Sequence, residues 1–153
     1  MLASGDKAPD FNLPTNGGGT LSLKDLKGKT VVLYFYPKDM TPGCTTEAQD
    51  FRDHIKDFEQ AGCIVVGASK DSVKRHDNFV EKQALPFQLV SDENGTLCED
   101  FGVWVEKNMY GRKYMGIARA TFIIDAKGVI RHVWPKVKVK GHVEDVLATL
   151  KRL

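Results

Sequence analysis

An α/β protein, with a mixed central sheet flanked by helices and an N-terminal β-hairpin added to it, is the fold class that this sequence predicts. Three observations carry the prediction. Apolar runs of strand length, at 31–36 and 63–68, alternate with segments whose apolar residues recur at helical spacing. Pro37, Gly62 and Pro86 fall between these segments, where chain breaks belong. The resulting strand-helix-strand-helix-strand order calls for right-handed crossovers and a sheet covered by helices. The 153 residues suit one domain spanning 1–153, a size that buries about 68–70% of the unfolded surface without staples.

The first element is a hairpin. Asp10-Phe11-Asn12-Leu13 and Thr20-Leu21-Ser22-Leu23 alternate polar with apolar, and residues 14–19 supply the turn. The glycines at 17–19 do not lie between a strand and a helix, so they are not a phosphate cradle. Gly28-Lys29-Thr30 ends like a P-loop, but Leu23 stands where its first glycine should be and a strand follows.

That strand, 31–36, stops at Pro37. Beyond a polar loop with a Pro42-Gly43 break, Cys44 opens a segment in which Ala48, Phe51, Ile55 and Phe58 follow at offsets of four, seven, eleven and fourteen. This is one face of a helix, and it sets Cys44 in the first turn, on the buried-facing side. Unpaired backbone N–H groups and the positive end of the helix dipole there favour a thiolate over a thiol. A structural cysteine capping a core helix is the plainer alternative.

Gly62 stops the helix, and residues 63–68 form a strand buried on both faces, with Cys63 an inert core residue. Asp71 or Ser72 caps a helix running to about Ala84, with Val73, Phe79 and Val80 facing inward. A short strand at 87–90, a turn at 92–95 and a short helix at 96–101 carrying Cys98 come next. Residues 102–119 mix Trp104, Tyr110 and Tyr114 with Lys107, Arg112, Lys113 and glycines, a loop or ribbon. Residues 120–124 and 129–134 flank 125–128 as a hairpin. Lys136, Lys138 and Lys140 alternate with valines as a solvated edge, and a closing helix at 142–153 turns Val143, Val146, Leu147, Leu150 and Leu153 to one face.

Composition excludes several classes. A net charge of +2 without clustered basic residues argues against nucleic acid. No apolar run approaches the roughly 18 residues of a membrane span. The N-terminus lacks a basic region followed by an apolar stretch, so a cytoplasmic location is expected. Cys44, Cys63 and Cys98 make an odd count without a CxxC pair, which fits neither a disulfide framework nor structural zinc. His54, His76, His132 and His142 are scattered, which suggests surface or half-buried roles and no metal.

Pro37-x-x-x-Thr41-x-x-Cys44 after an aromatic strand resembles the active-site signature of the peroxiredoxins, and Arg119-Ala120-Thr121-Phe122 resembles their distal arginine motif. The likeness runs from Gly5-Asp6-x-Ala8-Pro9-Asp10-Phe11 to the last helix. It is closest to the bacterioferritin comigratory protein (PrxQ-like) subfamily, through Tyr34-Phe35-Tyr36-Pro37-Lys38, Thr41-Pro42-Gly43-Cys44-Thr45 and Phe101-Gly102-Val103-Trp104. The resemblance implies a thioredoxin-like fold, a monomer, and a peroxidase that reduces hydrogen peroxide and organic hydroperoxides at Cys44 without metal or haem. Arg119 would supply a permanent charge near Cys44. The Thr41 hydroxyl and the N–H groups of Gly43 and Cys44 would complete the substrate site, and Pro37 would shield the thiolate. Taken singly, Arg119 suits a surface ion pair, Thr41 a helix cap and Pro37 a strand terminator; their joint spacing favours function.

Two other readings use the same core. A thioredoxin-type disulfide oxidoreductase needs a cysteine where Thr41 stands, and a non-catalytic binding module needs no ionised thiol. Relatives with a resolving cysteine place it five residues on, where this chain has Gln49, or in the next helix, where 72–84 holds none. Cys98 is the candidate that remains. The expectation is a one-cysteine cycle served by an external thiol such as glutathione, glutaredoxin or thioredoxin, with a two-cysteine cycle through Cys98 as the alternative.

Overall fold

The computed structural model describes residues 1–153. Strands β1 (Asn12–Pro14) and β2 (Thr20–Ser22) pair as the antiparallel hairpin expected at the N-terminus. Strand β3 (Thr30–Phe35) then leads into α1 (Pro42–Asp53) and α2 (Ile55–Gln60). Next come β4 (Cys63–Ser69), α3 (Val73–Gln83), β5 (Gln88–Ser91) and α4 (Leu97–Asp100). A ribbon, β6 (Trp104–Met109) and β7 (Arg112–Ile117), precedes β8 (Ala120–Ile124), β9 (Ile130–Trp134) and α5 (His142–Arg152). The central sheet has the order β5-β4-β3-β8-β9. Its first three strands are parallel, and β8 and β9 are antiparallel to their neighbours. The sheet is therefore mixed.

β3 occupies the middle of this sheet and is buried on both faces, which is why its sequence is continuously apolar. Val31, Leu33 and Phe35 join one apolar cluster with Leu21, Leu97 and Cys98. Val32, Tyr34 and Tyr36 join the other with Cys44, Phe51, Phe58, Phe79 and Val146. The hairpin and α4 thus cover one face, and α1, α2, α3 and α5 cover the other.

Five expectations need correction. The helix opened by Cys44 breaks at His54. The His54 ring nitrogen Nδ1 lies 2.9 Å from the Asp50 carbonyl, the acceptor that its own amide would use, and that amide turns instead to Phe51 O at 3.2 Å. On α3, which Ser72 caps by accepting the Arg75 N–H at 3.2 Å, the buried residues are His76 and Phe79, while Val73 and Val80 are only partly covered. His76, and His142 at the start of α5, are core residues, contrary to the surface or half-buried roles expected. Residues 135–141 form no strand: the lysines are solvated, but the backbone makes a bond from Val137 N–H to Arg119 O at 2.9 Å. Leu153 lies past the end of α5 and is 52% exposed. No helix is long and apolar enough to cross a membrane.

Candidate active site

The end of β3 and the start of α1 are joined by a tight loop. Met40 in it has a φ of 66°, and Thr41 returns to extended backbone as the N-cap. Pro42 takes the first helical position, where its fixed φ suits the helix and its missing N–H costs nothing. Thr45 N–H reaches back to Thr41 O at 2.9 Å. The Gly43 and Cys44 amides precede that bond, so helix geometry gives them no intrahelical acceptor. Cys44 is 1% exposed, on the face of α1 that meets the sheet.

Arg119 arrives from the other half of the chain. It precedes β8, whose Ala120 is paired with Phe35 at the end of β3, so the register delivers it beside the loop. Its Nη2 lies 3.3 Å from Cys44 Sγ and its Nη1 donates to Glu47 Oε1 at 2.7 Å. Burial works against the guanidinium charge, but Glu47 and Cys44 outweigh it and hold Arg119 above its ordinary range. A side chain on residue 43 would intrude here, because a Cβ at Gly43 would sit 3.3 Å from Arg119 Nη2.

Glu47 was not anticipated. It lies three residues after Cys44, one helical turn along the same face, and that spacing was the available signal. It is fully buried, and burial pushes its carboxyl up to about 7 against the opposing pull of Arg119. Its Oε2 and the hydroxyl of Tyr34 have no hydrogen-bond partner. Burial, then the charges of Glu47 and Cys44, hold the Tyr34 phenol well above its ordinary range, so it stays neutral.

The remaining anticipated residues occupy supporting positions. Thr41 Oγ1 donates to Lys38 O at 2.9 Å, which braces the loop, and makes no capping bond to the helix. Pro37 is half-buried at the exit of β3. Beside Arg119 a cavity of about 590 Å³ opens between the ribbon and residues 135–137, lined by Val105, Lys107, Tyr114, Ala118 and Pro135. Burial first, and then Arg119, push the Lys107 amine below its usual range. Glu106, Asn108 and Lys136 also line it, so its wall mixes apolar, cationic and acidic groups.

The other two cysteines are remote from this arrangement. Cys98 lies under the opposite face of the sheet from Cys44. Its thiol is pushed up by burial and by Asp92. Cys63 shares the Cys44 face but is paired with Thr30, at the far end of β3, and burial pushes its thiol up to about 12. Neither is free to ionise.

A sulfur at a helix N-terminus, faced by a guanidinium, is suited to nucleophilic attack that leaves an oxyanion needing donors. Residues 4–133 match the AhpC/TSA family, and the chain belongs to it. Within that family the likeness is to the Bcp and peroxiredoxin Q proteins. A putative peroxiredoxin bcp of Coxiella burnetii is 60% identical over 146 residues, 95% of this chain and 97% of that one. The structure of a cysteine-to-serine mutant of Xylella fastidiosa PrxQ superposes with a TM-score of 0.94 at 42% identity, covering 99% of this chain and 97% of the other. The bacterioferritin comigratory protein of Xanthomonas campestris, studied for its alkyl peroxide reduction activity, does so with a TM-score of 0.89 at 48% identity, covering 93% and 90%. These likenesses bear out the peroxiredoxin resemblance and the thioredoxin-like fold.

Proposed function

We propose that the protein reduces hydroperoxides with electrons from an external thiol, and that Cys44 is the residue oxidised and regenerated. The observation that carries this reading is Arg119 Nη2 at 3.3 Å from Cys44 Sγ, at the first turn of α1. The sulfur, as thiolate, attacks the terminal oxygen of the peroxide. An S–O bond forms as the O–O bond breaks, the thiolate becomes a sulfenic acid, and the departing alkoxide or hydroxide takes a proton to leave as alcohol or water. Arg119 and the Gly43 and Cys44 amides are the donors facing the developing charge. Thr41 holds the loop in shape through Lys38, and Pro37 limits water at the sulfur.

The cycle closes with two equivalents of thiol. The first displaces water from the sulfenic acid to give a mixed disulfide, and the second releases Cys44 as thiolate and leaves as the disulfide of the reductant. The positions of Cys98, across the sheet, and Cys63, at the far end of β3, support this one-cysteine route. The six residues of β3 span about 17–20 Å, and a disulfide needs Cα atoms within about 7 Å. Glutathione, glutaredoxin and thioredoxin are the candidate donors. A monomer in the cytoplasm completes the reading, the location resting on an odd cysteine count without a CxxC pair.

Peroxide consumption coupled to thiol oxidation tests it. The wild type is expected to turn over, and Cys44→Ser is expected to be inactive. Turnover persisting in Cys44→Ser overturns the assignment.

A further inference from the structure

At the opposite end of the sheet from Cys44, where β3 begins, three segments enclose a cavity of about 220 Å³. They are the chain before β1, the 3₁₀ turn Leu23–Leu26 with the residues that follow it, and the turn between β8 and β9. Backbone bonds fix these segments to one another: Ala8 N–H donates to Gly128 O at 2.8 Å, and Gly28 N–H to Ala126 O at 3.1 Å. The cavity is therefore built into the fold. Its floor is apolar, made by Ala8, Leu23 and Val31, which are buried, and by Leu26, which is half-buried.

The rim is cationic. Lys7, Lys24, Lys27, Lys29 and Lys127 line it, all exposed, and none forms an ion pair; the lysines that do are Lys70 and Lys113. The two acidic residues of the lining are committed to backbone. Asp10 Oδ1 accepts the N–H groups of Phe11 at 2.9 Å and Lys24 at 3.2 Å. Asp125 Oδ1 accepts those of Val129 at 3.0 Å and Lys127 at 2.9 Å, which hold its carboxyl below the ordinary range. Five lysines less two aspartates give the lining a charge of +3, against +2 for the whole chain. The protein's excess positive charge is thus gathered at one cavity. Like charges drawn together without counter-ions repel and oppose the compact state, and nothing in the chemistry assigned to Cys44, a strand length away, uses them.

We infer that this cavity is a binding site for a small amphipathic carboxylate, which lays its apolar tail on the floor and sets its carboxylate among the rim lysines. Charge selects the head, and volume selects the tail. The space holds roughly seven water-sized groups at about 30 Å³ each, which fits the tail of a medium-chain acid. Lysine ammonium groups are point charges on flexible stems, so they receive a carboxylate without demanding one geometry. A nucleic acid would use the rim and leave the floor uncovered. The site lies apart from Cys44, and the inference does not rest on the peroxidase reading.

Octanoate is the probe, titrated into the full chain by calorimetry with amide chemical shifts followed in parallel. Saturable binding is expected, with shifts at Leu26, Gly28, Ala126 and Gly128, and added salt is expected to weaken it. Acetate, which has the head without the tail, and octylamine, which has the tail with the opposite charge, are expected not to displace it. The double variant Lys27→Glu with Lys127→Glu alters exposed side chains only. It is expected to weaken octanoate about tenfold and to leave the reaction of Cys44 with hydrogen peroxide unchanged. Absence of saturable binding overturns the site. So do equal binding of octylamine, undiminished binding in the double variant, and shifts confined to Lys107, Ala118 and Arg119 at the other cavity.

Discussion

Gly43 and Arg119 meet so closely that a methyl group on residue 43 would lie 3.3 Å from Arg119 Nη2. Glycine within a helix destabilises it by roughly 0.5–1 kcal/mol relative to alanine, so its presence inside α1 calls for a reason. The room it leaves for the guanidinium supplies one. Gly43→Ala is expected to raise thermal stability slightly and to slow the peroxide step severalfold by moving Nη2 off the sulfur. Melting curves and peroxide kinetics on the same preparation check this, and a faster or unchanged peroxide step counts against it.

Arg119→Met removes the charge and keeps much of the bulk. Hydrogen bonds involving charged groups are worth about 1.5–3 kcal/mol, which corresponds to a peroxide step slower by roughly tenfold to a hundredfold. The thiolate fraction at neutral pH, read from its ultraviolet absorbance, is expected to fall in the same variant. Equal absorbance and equal rate would place the arginine outside the chemistry.

Glu47 and His142 titrate over nearly the same range with opposite effects. The Glu47 carboxyl is raised by burial to about 7 in the folded chain. Between about 4.5 and 7 the unfolded chain therefore holds fewer protons, and stability falls as pH rises. His142, buried beside the Thr121 hydroxyl at 2.8 Å, is lowered by burial to about 4. Between about 4 and 6.5 the unfolded chain holds more protons, and stability rises with pH. Each displacement corresponds to about 3 kcal/mol, so the wild type is expected to be nearly flat across this window. Glu47→Gln should make stability climb with pH there, and His142→Asn should make it decline. Denaturant unfolding at several pH values reads both slopes.

A single equivalent of peroxide is expected to leave Cys44 as a sulfenic acid that dimedone traps, with no internal disulfide by intact mass. Cys63→Ser and Cys98→Ser should cycle at wild-type rates, because Cys98 lies across the sheet from Cys44 and Cys63 at the far end of β3. A Cys44–Cys98 disulfide that vanishes in Cys98→Ser together with turnover would make Cys98 the resolving residue, and would require the sheet to open.

Much of this was legible beforehand. The continuous apolar runs gave β3 and β4, the 3.6-residue spacing gave α1 and α5, and Pro37 marked the exit of β3, whereas the expected break at Pro42-Gly43 is the first turn of α1 itself. The parts that were not legible depend on relationships across the chain. His54 breaks a regular apolar face because a ring nitrogen competes for a backbone carbonyl, which periodicity cannot register. Glu47 and His76 are polar residues on otherwise amphipathic helices, and polarity alone assigns them to solvent. Only the arrival of Arg119 beside Glu47, and of Asp39 beside His76, makes their burial tolerable.

The arginine and the cysteine stand 75 residues apart in sequence and meet only because β8 docks against β3. A chain emerging from the ribosome reaches Cys44 long before it reaches Arg119, and strand pairing over such separations is slow to form. Until β8 is in place the sulfur has at most a frayed helix end to favour its ionisation. On the role proposed for Cys44, the nascent chain is expected to carry a comparatively inert sulfur until β8 has docked.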